Sequence, residues 1–181
     1  PAICVKYFRL ATDGNPLFPV HGPFGVWAYF WNGLNFSSMM HSSLPLSAAP
    51  LEKSWQRCVD SYHLDPAQEW SADVLSGAEF RHVSMQSALL LRTAIPETRR
   101  LFELVRGLGL MVVLADHEAT VLTRCFDESH VSICRRIHLQ EGAMWSETAA
   151  GTNGLGTALM DEAPVALNQG EPWRYCFSMI A

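Results

Sequence analysis

The strongest constraint on what this chain can fold into is a change of period at Leu110. Leu110-Met-Val-Val-Leu-Ala115 is an unbroken apolar run, Asp116 to Ala119 is a polar turn, and Thr120-Val-Leu-Thr-Arg-Cys-Phe126 returns as a second extended stretch. An apolar run this short suits a strand covered on both faces, and two such strands on a polar turn make an antiparallel hairpin. The surroundings read mostly as helix. Leu51, Trp55, Val59 and Tyr62 recur at spacings of three and four, one face of a short helix that stops near Asp65 and Pro66. A second helical stretch begins around Ser76 and carries Phe80, Leu89, Leu90, Leu91, Ala94 and Ile95. Pro96 is then placed to open another helix, where its missing N–H costs nothing. That helix has Leu101, Leu104, Val105 and Leu108 on one side and Arg99, Arg100 and Arg106 on the other, solvated side. A helix is expected from Glu128 to Ile137, another from near Asn153 to before Pro164, and a further strand at Val165-Ala-Leu167. Helices around an antiparallel sheet define an α+β domain.

Composition limits the partners. Apolar residues are 49% of the 181, enough for a packed core. A net charge of -5 leaves no broad basic surface, so direct nucleic-acid contact is not expected. The five cysteines, at 4, 58, 125, 134 and 176, contain no C-x-x-C pair and read as reduced thiols in a cytoplasm. From Gly14 to Leu51 there is no Asp, Glu, Lys or Arg, while Phe18, Phe24, Trp27, Tyr29, Phe30, Trp31 and Phe36 crowd together. A membrane span needs about 18 or more apolar residues in a row, and Pro16, Pro19, His21, Gly22, Pro23, Asn32 and Asn35 interrupt every candidate, so no membrane association is expected. Residues 1–50 read as an irregular extension, with Met39 or Met40 as an alternative start.

The densest local signal is Gly142-Ala-Met-Trp-Ser-Glu-Thr-Ala-Ala-Gly-Thr-Asn-Gly-Leu-Gly-Thr-Ala-Leu159. Gly151 to Gly154 permit a tight turn, Thr152 or Asn153 can cap the helix that follows, and Gly154 and Gly156 let that helix lie close against the sheet. A glycine-rich helix start is also a potential anion site. It is not a nucleotide loop, because Gly151 and Gly156 are followed by Thr157-Ala158 and not by Lys with Ser or Thr. The dinucleotide fingerprint fails too, with Leu159 in the place of its third glycine.

Trp145-Ser-Glu147, three residues, Gly151-Thr-Asn-Gly-Leu-Gly-Thr-Ala-Leu159, then Pro164-Val165 and Glu171, resemble the sensory GAF domain of acetoin- and glycerol-metabolism regulators, bacterial activators that work with sigma-54 RNA polymerase. Ser54-Trp-Gln-Arg-Cys58 followed by Tyr62-x-Leu64-x-Pro66 is similar to the segment preceding that domain, so the resemblance spans about residues 51 to 176. It implies a helical lead-in over 51–83 and a GAF-like sensor over 84–181. It also implies a homodimer that binds a small-molecule effector and controls an ATPase module and a helix-turn-helix module. The implied ligand-binding residues are Trp145, Glu147, Thr152, Asn153, Glu171 and Trp173. The family pattern has His where this chain has Pro172, and it continues past Ala181 through further strands. The domain is therefore expected to be C-terminally truncated and, alone, poorly stable through its exposed strand edges.

Two other readings stand beside this one. Cys125, His130, Cys134 and His138 carry a four-residue repeat that would align the last three on one helix face, able to hold zinc or iron or to act as a thiol sensor. The plainer reading makes the histidines partly exposed and Cys134 a small core side chain. The leading helices could alternatively serve dimerisation alone. No spacing argues for catalysis: Glu141 with Glu147, and the scattered His and Ser, are weak as acid–base or nucleophilic sets. No enzyme activity and no cofactor are expected.

Overall fold

The computed structural model describes residues 51–68, 70–107, 110–163, 165, 167 and 173, and the backbone course alone at 4–9, 20–21, 27–28 and 49–50. Three short strands, β1 (Cys4–Arg9), β2 (Val20–His21) and β3 (Trp27–Ala28), fall where the sequence suggested only an irregular extension. They are followed by α1 (Ala49–Gln56), which runs into a π turn (Arg57–Ser61), and then by α2 (Gly77–Gln86) and α3 (Ala88–Val105). β4 (Leu110–Ala115) and β5 (Val121–Cys125) form the expected hairpin. A 3-10 turn (Glu128–His130), α4 (Val131–Arg136), α5 (Glu147–Ala150) and α6 (Gly156–Met160) complete the described elements. The architecture is α+β, with helices on a small sheet ordered β2-β3-β1-β4-β5. Its pairs are antiparallel apart from β1 with β3.

β4 is the centre of this arrangement, with β1 on one edge and β5 on the other. All six of its residues are buried because both faces are covered. Side chains alternate along a strand, so Leu110, Val112 and Leu114 pack with Ala94, Leu101, Phe102 and Val105 of α3. Met111, Val113 and Ala115 face the other way, into a core with Cys134, Ile137, Leu139, Ala143, Trp145, Ala150 and Leu155. Between Leu114 and Ala115 the register with β5 shifts: Ala115 faces Val121, but Leu114 faces Thr123 and Val112 faces Cys125. This bulge turns the end of β5 to the opposite side, so Val121 belongs to the second core whereas Cys125 packs with the α3 core. The turn between the strands is held by Asp116, whose Oδ1 accepts from Glu118 N and Thr120 N, each at 2.9 Å.

Beyond β5 the chain adds extended backbone without a named strand. Val121 N donates to Ala143 O (2.9 Å) and Trp145 N to Ala119 O (3.0 Å). Met144 N then reaches Asp73 O (2.9 Å) and Leu75 N reaches Gly142 O (3.0 Å), docking the stretch that precedes α2.

Several helix boundaries differ from the sequence expectation. α2 starts as expected, with Ser76 and Glu79 forming a reciprocal capping box. The break comes at Ser87, however, and Pro96 lies inside α3 on its exposed side instead of opening a helix. The helix expected over Glu128–Ile137 is split into the 3-10 turn and α4, and the one expected from Asn153 to before Pro164 is shortened to the five residues of α6. Val165 and Leu167 are buried but form no strand pairing among the described residues. Across α1 and the π turn the inward face is not the apolar one: Val59 is 52% exposed, whereas Ser54 and Cys58 are wholly buried.

The two-core arrangement has a direct test. Ile137→Ala, at a side chain with no exposure, is expected to lower stability by about 2–5 kcal/mol. Met85→Ala, at a side chain 69% exposed, should change it by less than about 0.5 kcal/mol. Urea midpoints compared at equal slope give both values.

Candidate functional site

The two motifs singled out in the sequence meet in space. Glu147 opens α5, is 3% exposed, and points its carboxylate at the lead-in helix. Arg57 Nε donates to Oε2 at 2.7 Å and Arg57 Nη2 to Oε1 at 3.0 Å, a two-pronged ion pair between residues 90 positions apart. Ser54 Oγ and Thr157 Oγ1 also donate to Oε1, the latter at 2.9 Å. Arg57 Nη2 lies 2.9 Å from Asp161 Oδ1 as well. Since Ser54 spends its one proton on the carboxylate, the 2.7 Å contact between Ser54 and Thr152 must take the Thr152 proton, and Cys58 Sγ, 3.6 Å from Thr152 Oγ1, donates in its turn. The result is a relay of thiol, two hydroxyls and a carboxylate. The π turn begins at Arg57, in the middle of these contacts.

Burial by itself would push the Glu147 carboxyl up. The hydrogen bonds from Arg57, Ser54 and Thr157 and the charge of Arg57 outweigh it and hold the group below its ordinary value of 4.5. Arg57 is correspondingly raised, first by its hydrogen bond to Glu147.

The glycine-rich loop is organised by Asn153. Its Oδ1 accepts from Leu155 N and Gly156 N, each at 2.9 Å, and its Nδ2 donates to Trp145 O (3.0 Å) and Gly151 O (2.8 Å). This is the expected cap, and it consumes donors that an anion would need. Gly156 permits close approach, though to the Trp145–Glu147 backbone and not to the sheet: a Cβ there would lie 2.4 Å from Glu147 N and 2.6 Å from Trp145 O. Gly151, at φ +74°, sits under Trp173, whose ring would be 2.3 Å from an added Cβ. Trp173 N donates to Thr152 O at 2.9 Å, and the ring lies 4.5 Å, centroid to centroid, from that of Trp55.

Of the six residues expected to bind a ligand, the structure gathers five around this loop, and Glu171 lies outside the described residues. Glu147, Thr152 and Asn153 are engaged internally, and Trp145 is a core side chain with Trp70 edge-on at 5.6 Å. Trp173 is buried as well, and its Nε1 has no partner among the described residues. Ser54, Arg57, Thr157 and Asp161 carry as much of the site as the expected six. For Ser54 and Arg57 the signal was a polar pair at i and i+3, where an apolar stripe would be ordinary; Thr157 and Asp161 carried no comparable signal.

The four residues of the metal reading are not brought together. The bulge puts Cys125 on the α3 side, whereas Cys134 is buried in the other core with its thiol toward Met111 Sδ at 3.3 Å. His130 is buried with Nδ1 3.0 Å from Ser129 Oγ, and His138, beyond the end of α4, lies edge-on to Trp70 at 5.9 Å. No group of three or more His, Cys, Asp or Glu among the described residues is placed to hold a metal ion. Burial pushes the thiols of Cys58, Cys125 and Cys134 up, away from the thiolate form that binds metals or reacts. No helix among the described residues is long and apolar enough to cross a membrane.

In sequence the chain is similar to one stretch of several bacterial transcription regulators. The chain is 33% identical over 121 residues to the acetoin dehydrogenase operon transcriptional activator AcoR of Bacillus subtilis (strain 168), covering 67% of this chain and 20% of that protein. It is 31% identical over 123 residues to the acetoin catabolism regulatory protein of Cupriavidus necator, covering 68% and 18%. A signal-transduction and transcriptional-control protein of Clostridium beijerinckii is 26% identical over 121 residues, covering 67% and 19%. The chain thus spans about one fifth of the length of these relatives. No family model matches it. The fold is shared with the crystal structure of the E. coli DhaR(N)-DhaL complex at a TM-score of 0.64 and 18% identity, over 73% of this chain and 43% of that one.

Removing the charge at the centre should be costly. Glu147→Gln is expected to lose about 3 kcal/mol, the lower end for a broken buried pair because Arg57 keeps some contact with water. The native carboxyl titrates below the unfolded one, so its contribution is complete above the ordinary value of 4.5 and is lost as pH falls through the depressed native value. Chemical denaturation at a series of acid pH values should show a steeper loss of stability in the native sequence than in Glu147→Gln. Gly156→Ala, which forces backbone apart, should cost about 1–3 kcal/mol in the same measurement.

Proposed function

We propose that this chain is a GAF-type sensory domain that binds a small-molecule effector and, within a transcription regulator, governs an ATPase module acting with sigma-54 RNA polymerase and a DNA-binding module. The observation that carries this reading is the 33% identity over 121 residues with an activator named for an acetoin dehydrogenase operon. A second acetoin regulator at 31% identity supports it. The effector class that follows is a small alcohol or hydroxyketone, uncharged and able both to accept and to donate a hydrogen bond. Trp173 is the side chain best suited to meet it, since its buried Nε1–H has no partner among the described residues and its ring closes over Gly151. As a cytoplasmic homodimer, the domain would give each copy its own effector site.

A ligand that binds only the folded state raises its stability by mass action, by about 2.7 kcal/mol at a hundredfold excess over Kd. Acetoin titrated into the purified chain should therefore raise the thermal midpoint in proportion to the logarithm of its concentration. Trp173→Phe keeps the ring against Trp55 but removes the donor, and should weaken the effect about tenfold. A midpoint that does not move with acetoin, butanediol or glycerol at millimolar concentration would remove small alcohols and hydroxyketones as the effector.

A further inference from the structure

The pair Asn-Gly occurs twice in the chain, at Asn32-Gly33 and at Asn153-Gly154. An asparagine followed by glycine is the one most open to attack by the next backbone nitrogen, because glycine has no Cβ to hinder the approach. Attack of Gly154 N on Asn153 Cγ forms a C–N bond and breaks the bond from Cγ to Nδ2. The proton of Gly154 N leaves with Nδ2 as ammonia, and a five-membered imide remains. Water then opens the ring at either carbonyl, leaving an aspartate at position 153 or an isoaspartyl link in which the chain runs through the side-chain carboxyl.

The second pair lies in the loop that Asn153 organises, and there the fold opposes the attack. Gly154 N must reach Cγ from above the plane of the side-chain amide, so the amide has to turn. In the folded loop all four hydrogen-bonding sites of that amide are taken: Oδ1 by Leu155 N and Gly156 N, each at 2.9 Å, and Nδ2 by Trp145 O at 3.0 Å and Gly151 O at 2.8 Å. The backbone of Asn153 is held as well, its N donating to Thr157 Oγ1 at 3.2 Å and its O accepting from Thr157 N at 3.1 Å. Every residue from Gly151 to Thr157 is buried, so a turned amide would leave these groups without water to replace it.

The products do not fit the loop that the asparagine fits. A carboxylate at 153 has no hydrogen to give, so an oxygen would face Trp145 O and Gly151 O where Nδ2 now donates. The isoaspartyl link adds a methylene to the backbone close to Gly156, where even a Cβ would lie 2.4 Å from Glu147 N. Either product therefore also disturbs the backbone that carries Glu147.

We propose that Asn153-Gly154 is a deamidation site gated by unfolding: closed while the loop is folded, converted by water once the chain opens, and unable to rebuild the loop afterwards. An unfolding event that outlasts the reaction becomes permanent. This chemistry needs no effector and holds whatever the domain senses.

Peptide mapping by mass spectrometry tests it on the full chain at mildly alkaline pH, with one sample in buffer and one in guanidinium chloride above the unfolding midpoint. In denaturant Asn153 should convert at a rate similar to Asn32, and Gly154→Ala, measured there because folding then plays no part, should slow it at least about tenfold. In buffer, conversion at Asn153 should be at least about a hundredfold slower than in denaturant. Asn153→Asp makes the product directly, and it should unfold at a lower urea midpoint than the native sequence or fail to fold. Protection smaller than a hundredfold, no conversion of Asn153 in denaturant, or a midpoint for Asn153→Asp at or above the native one overturns the gated site.

Discussion

The arrangement depends on one buried carboxylate. Glu147 is charged, almost inaccessible to water, and therefore stable only while its lone pairs are met by donors in the right places. Meeting them requires Arg57 and Ser54 from a helix roughly 90 positions earlier and Thr157 from the turn after the glycine loop. That requirement fixes the position of the lead-in helix against the loop, and the rest of the loop follows. Asn153 ties the backbone at 145, 151, 155 and 156 into one knot, and Gly156 must be glycine because the helix it opens touches the backbone that carries Glu147.

The hairpin was legible because its signal is local. A continuous apolar run, a turn and a second run need no distant information, and β4 and β5 fall within a residue of the expected limits. Pro96 misled because its cost in a helix depends on whether the carbonyl it orphans can reach water. On the exposed side of α3 it can, and the helix passes through. The inward face of α1 and the π turn misled for a related reason. Trp55 and Val59 suggested an apolar face, but what lies opposite is an ionised group, and only knowledge of that partner makes Ser54 and Cys58 the buried positions.

For the site, the sequence singled out residues that the fold brings together, without showing what their polar atoms meet. Trp145, Glu147, Thr152, Asn153 and Trp173 do gather, as the glycine loop suggested, but three of them spend their polar atoms on one another and on the lead-in helix. A motif shared between sequences reports that a position is constrained, and a buried ion pair constrains a position as firmly as a ligand does. The residue types alone do not separate the two. The cysteine and histidine repeat is not brought together because it assumed one helix face through His130, Cys134 and His138, whereas His130 ends a 3-10 turn, α4 covers only Val131–Arg136 and His138 lies beyond it at φ +53°.

The bulge beside Ala115 has a consequence for the chemistry of the thiols. Cys125 and Cys134 are nine positions apart along the chain, close enough for a flexible peptide to join them readily. In the folded protein the thickness of a sheet lies between them, with Cys134 buried in one core and Cys125 partly buried against the other. One irregularity in strand pairing therefore acts as an insulator, keeping two oxidisable groups in separate compartments so that a disulfide between them could form only in the unfolded chain.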